Sequence, residues 1–94
     1  MVFMIGERLP SKLHGYLSHT LLEVQPQTCV GVVSARVREQ LIDTVRRQIG
    51  PFGAMTIIVS SKNEQGYQIT VFGQTTFAPV DFDGIQLMAR RQTP

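Results

Sequence analysis

Met1-Val2-Phe3-Met4-Ile5 opens the chain with consecutive apolar residues, and no other stretch restricts the fold as much. Side chains alternate between the two faces of a strand, so a strand with one wet face shows a polar residue at every second position. Val2–Ile5 shows none. Both faces therefore leave water, which predicts a strand in the middle of a sheet. Gly6 ends it, and Glu7-Arg8 places a carboxylate and a guanidinium at its C-terminal tip. A carboxylate in that position is either a metal ligand or a solvated loop residue.

Pro10 predicts a helix start, because a proline in the first turn has no helical N–H bond to lose. The helix is expected over about Pro10–Leu22, with Leu13, Tyr16, Leu17, Thr20 and Leu21 as its buried stripe. Gly15 in its middle suggests close approach of another backbone, since glycine there costs about 1 kcal/mol against alanine. Residues 23–31 read either as two short strands about a Pro26-Gln27 turn or as one strand after a frayed helix end. A second helix is capped by Ser34 and carries Val37, Leu41, Ile42, Val45 and Ile49 on one face. Gly50-Pro51 terminates it.

Ala54–Ser61 is a further strand with little alternation, and Tyr67–Phe72 is one that does alternate. Residues 73–79 read as irregular, Val80–Gly84 as a turn with two carboxylates, and Ile85–Met88 as a last short strand. Ninety-four residues leave room for one core. The order of elements predicts an α+β ferredoxin-like sandwich, an antiparallel sheet with two helices on one face. Two helices cover only that face, yet Val2–Ile5 and Ala54–Val59 are apolar on both. A second copy of the chain is the economical cover for the other face, so a homodimer is expected.

A content of 43% hydrophobic and 17% charged residues belongs to a globular chain and excludes a disordered one. A net charge of +2 permits a nucleic-acid partner without requiring it. Cys29 is the single cysteine, which excludes an intrachain disulfide and reads as a small buried hydrophobe. No apolar run has membrane-spanning length and the start lacks the pattern of a signal peptide, so a cytoplasmic protein is expected.

There is no nucleophile motif, Gly-rich phosphate loop or metal-spaced Cys/His cluster. His14 and His19 are five apart and do not share a helical face. The carboxylates Glu7, Glu64, Asp81 and Asp83 remain, and magnesium needs only one or two of them. Arg36 and Arg38 stand in the first turn of the second helix, at the positive end of its dipole, where cations are disfavoured unless something anionic lies nearby.

Taken in order, Leu9-Pro10-Ser11-Lys12-Leu13, Leu21-Leu22-Glu23-Val24, Val30–Glu39, Phe72-Gly73 and Pro79–Ile85 resemble a known family. It is the small CRISPR-associated adaptation protein, the non-catalytic partner of the CRISPR integrase, in its type I-E form. The resemblance covers nearly the whole chain. It implies a ferredoxin-like homodimer held between integrase dimers, which grips foreign double-stranded DNA for insertion into the CRISPR array. By position, it implies that Lys12, His14, Arg36 and Arg38 face the DNA backbone. Glu7, Glu64 and Asp83 match acidic positions of the family, with Glu7 the residue once assigned to a Mg²⁺-dependent nuclease site. Residues 1–78 would form the core and 79–94 the segment that docks the integrase, through Pro79, Val80, Asp81, Asp83, Ile85 and Leu87. This chain departs from the pattern at His14, where arginine is usual, and at Thr76-Phe77, where an Arg-Arg pair is typical. Both departures bear on how strongly an isolated dimer holds DNA. A scaffold without chemistry of its own is the favoured expectation, and the alternative is a Mg²⁺-dependent endonuclease in which Glu7 from each subunit helps hold metal across the two-fold axis. One glutamate with Arg8 beside it is a thin metal site.

Overall fold

The computed structural model describes residues 1–62, 64–82 and 85–90, with side chains described for 1–62, 64–77 and 87–90. Along the chain run β1 (Val2–Glu7), α1 (Ser11–Thr20), β2 (Leu22–Gln25), β3 (Thr28–Gly31), α2 (Ala35–Gln48), β4 (Ala54–Ser60), β5 (Tyr67–Phe72), β6 (Phe77–Phe82) and β7 (Ile85–Arg90). The first five strands form one sheet in the order β2-β3-β1-β4-β5, and β6 and β7 form a separate two-stranded sheet. β1 is central, as its unbroken apolar run requires, and is antiparallel to both β3 and β4. The arrangement is α+β and ferredoxin-like, with a fifth strand added beyond β4.

Register sorts the two faces. Val2 and Met4 stand opposite Val59 and Ile57. They point into a core completed by Leu13, Leu17 and Leu21 from the α1 side and by Leu41 and Val45 of α2. Leu22, Val30, Phe3, Ile58 and Ile69 are cross-strand partners in succession, so they form one apolar row across all five strands of the other face. No described helix lies over that row. Leu87 and Met88 of β7 line a groove of about 330 Å³ on it with Ile58, Tyr67 and Ile69.

The helices follow their sequence signals with local exceptions. Ser34 Oγ accepts the Val37 N–H at 3.2 Å and caps α2. In α1, Leu13 and Leu17 are buried, but Tyr16 is 39% exposed and Thr20 is exposed as well. Both were expected inside. The apolar stripe is narrower because a ten-residue helix on a small sheet buries one row of leucines. Gly15 is not a close approach either, since nothing would lie within 4 Å of a Cβ added there.

Residues 22–31 form the two-strand alternative, a hairpin with a bulge between Glu23 and Gln25. Its turn uses Gln27 at φ 62°. The C-terminal segment differs most from expectation. Residues 77–82 are a strand, Asp81 pairs with Gln86 within it, and β7 continues to Arg90. Pro79 hid this strand, because proline donates no ladder bond. In a two-stranded hairpin both strands are edges, where proline is tolerated. No helix among the described residues is long and apolar enough to cross a membrane.

Candidate nucleic-acid interface

Chain direction decides where the cations stand. α1 starts at the Glu7 end of β1 and runs back along it, so Lys12 lies at that end. α2 starts just beyond Gly31, which is opposite Val2, so Arg36 and Arg38 lie at the other end of the helical layer. The fourteen residues of α2 span about 21 Å at 1.5 Å each. The basic residues thus do not form one cluster but bracket the helical layer. None of Lys12, Arg36 and Arg38 makes an ion pair among the described residues. The remaining basic residues of α2 are engaged: Arg46 and Arg47 pair with Asp43 at 3.7 and 2.9 Å. Arg46 also stacks 5.7 Å over the Phe72 ring.

His14 is placed differently. Its Nε2 lies 2.6 Å from Glu23 Oε2, which also accepts the Gln27 N–H at 2.9 Å. The Gln27 bond is the main reason the Glu23 carboxyl is held below its ordinary value of 4.5, with the His14 hydrogen bond next. Gln27 in turn accepts from Leu9 N–H through Oε1 and from Gly6 N–H through its carbonyl, at 3.0 and 2.7 Å. His14 therefore ties α1 to the β2–β3 turn and is not turned out as a free cation. Cys29 is 1% exposed. Its thiol is pushed up first by burial and then by the Glu23 charge, which suits a packed hydrophobe.

Glu7 and Glu64 do not converge within one protomer. Glu7 lies opposite Ala54, at one end of the sheet. Glu64 sits in the β4–β5 turn, at the end where Ser60 N–H donates to the Met1 carbonyl. A six-residue strand puts these ends about 20 Å apart. Glu7 also has partners in its own chain: Oε2 accepts the Thr76 N–H at 2.8 Å and Oε1 accepts the Thr76 hydroxyl at 2.7 Å. Arg8 Nη1 lies 3.6 Å from Oε1. Asp83 lies outside the described residues. Among the described residues no three of His, Cys, Asp and Glu stand together as a metal set. Glu7 and Glu64 of one chain thus do not fit a shared magnesium site.

Of the docking residues named from the sequence, Leu87 is 49% exposed. Pro79, Val80, Asp81 and Ile85 lie on the β6–β7 hairpin, but their side chains, like the whole of Asp83, fall outside the description. Arg8 and Gln27 organise this end of the molecule, whereas the sequence offered the first only as a competitor for the Glu7 charge and the second only as part of a turn. The Pro26-Gln27 turn was a signal for the second, whereas nothing local marks Arg8 for a left-handed φ of 54°.

A protein-family model described as CRISPR-associated protein (Cas_Cas2CT1978) matches residues 1–87. The match runs from the first strand into the last and takes in the ferredoxin-like sheet, both helices and most of the hairpin. The chain belongs to this CRISPR-associated, Cas2-type family.

Proposed function

We propose that the protein acts in CRISPR adaptation as a dimeric scaffold of the type I-E form, holding foreign double-stranded DNA between integrase dimers in the cytoplasm. The observation that carries this reading is the placement of Lys12, Arg36 and Arg38 at the two ends of the helical layer, without ion-pair partners among the described residues. A duplex presents a phosphate about every 3.4 Å along each strand. One duplex lying along the helices meets the basic residues at both ends of the layer. Phosphate contacts of this kind supply affinity without sequence preference. The apolar row from Leu22 to Ile69 supports dimerisation through the helix-free face. The β6–β7 hairpin, paired with no other strand among the described residues, supports docking of the integrase by strand addition. Both Glu7 carboxylate oxygens accept from Thr76 of their own chain, which favours a scaffold over a nuclease that shares a metal between the two Glu7 side chains.

The test is Arg36→Glu combined with Arg38→Glu, measured for DNA affinity at several salt concentrations and for spacer integration with the cognate integrase. Log affinity of the wild type should fall with log salt by about 0.9 for each phosphate neutralised. The double variant should bind every sequence more weakly, with a shallower slope and reduced integration. A base preference in the wild type, or an unchanged slope in the variant, overturns the reading.

A further inference from the structure

We propose that Glu7 and Arg8 form a clasp that sets where the C-terminal hairpin leaves the core, which makes Glu7 a positioning residue for partner docking. The docking role rests on the scaffold reading; the clasp itself does not.

The two residues follow each other at the end of the central strand, the most constrained element of the sheet. Besides their 3.6 Å approach to each other, both reach residues far along the chain. Glu7 takes the backbone N–H and the hydroxyl of Thr76, 69 residues away, one on each carboxylate oxygen. Arg8 turns the chain at φ 54°, a left-handed conformation that is strained for a non-glycine residue. That turn sends its guanidinium across the end of the sheet. Nε donates to the Phe52 carbonyl at 3.0 Å and Nη2 donates to the Gln74 carbonyl at 3.1 Å. Adjacent side chains of opposite charge thus hold both sides of one short segment, the link between β5 and β6. Bonds with an ionised partner are roughly twice as strong as neutral ones.

The link is pinned from its other sides too. At Gly73, φ is +76°, and an added Cβ would stand 2.4 Å from the Gly53 carbonyl oxygen. Only glycine lets β5 turn so tightly against the start of β4. Thr75 is 2% exposed, and its hydroxyl donates to the Phe77 carbonyl. β6 begins at Phe77, one residue after the clasped threonine. A six-residue strand is about 20 Å long, so a 10° error at its root moves the tip by roughly 3 to 4 Å. That displacement is comparable to the spacing between neighbouring strands and would defeat strand-to-strand docking. The carboxylate at the tip of β1 therefore serves the hairpin.

The test follows amide hydrogen exchange at Thr76 in the intact protein for wild type, Glu7→Gln and Thr76→Val. It also follows the concentration of cognate integrase that gives half-maximal integration and the rate at saturating integrase. Glu7→Gln should speed exchange at Thr76 by about tenfold and leave β1 and β4 amides unchanged. The half-saturating integrase concentration should rise by about tenfold as well, while the saturated rate stays within a few-fold of wild type. Thr76→Val keeps the N–H bond and should fall between the two. Unchanged exchange at Thr76 in Glu7→Gln overturns the clasp. A collapsed saturated rate with an unchanged half-saturation point overturns the positioning role and restores a metal ligand. A wild-type protein that never associates with the integrase defeats the scaffold reading and the docking role together, while its exchange data still decide the clasp.

Discussion

Glu23 shows how one exposed-edge residue gathers a local network. Its carboxylate serves the Gln27 N–H and the His14 ring at once, and Gln27 carries the connection on to Gly6 and Leu9. Because the folded state holds the Glu23 carboxyl below 4.5, its contribution to stability is complete above the ordinary carboxylate range. It is lost as pH falls through the depressed value. Glu23→Gln should therefore lower the urea midpoint at pH 7, and by less at a pH below the ordinary carboxylate range. A gap of equal size at both pH values contradicts the assignment. Both partners were visible in the sequence, but not their meeting, because nine residues and a bulged strand separate His14 from Glu23.

Among the elements, α1 carries an unused margin. Glycine in its interior has no neighbour within 4 Å of a potential Cβ and no left-handed φ. Gly15→Ala should then gain the full helix-propensity difference, about 1 kcal/mol. In a chain of this size that raises the melting temperature by roughly 4 to 8 °C, readable by circular dichroism. A neutral or destabilising result means that the helix surface at Gly15 is closed by something in solution. The sequence suggested a close approach here because a helix glycine costs stability; the structure shows the cost without that reason. α2 was fully legible, from the Ser34 cap to the Gly50 stop at φ 73°. Its periodicity and its caps are both local. β6 was not, because the stability of a proline-bearing strand depends on how many neighbours it must bond, which is a property of the sheet.

For the whole molecule the open face is the governing fact. Five strands each contribute one apolar residue to the row through Leu22, Val30, Phe3, Ile58 and Ile69. The hairpin meets this face at a groove with Leu87 and Met88. The protein should sediment as a dimer at micromolar concentration. Ile58→Asp should be monomeric there, since a desolvated carboxylate at an apolar interface costs several kcal/mol. Its far-UV spectrum should stay native, because Ile58 faces away from the helices. A monomeric wild type, or a variant that still dimerises, rejects the helix-free face as the interface.

Sequence alone determined the central strand, both helices and the inner face of the core. Those depend on which residues alternate or repeat within a few positions, and the same local logic kept Cys29 inside. Tertiary structure alone decided the rest. It set Lys12 and the Arg36–Arg38 pair at opposite ends of the helical layer, because antiparallel strands reverse the direction in which each helix starts. It parted Glu7 from Glu64 for the same reason. It also joined Glu7 to Thr76 and Arg8 to Gln74, across 69 and 66 residues. Such pairings exist only after the sheet has closed, since no local pattern encodes which loop will arrive at the tip of β1.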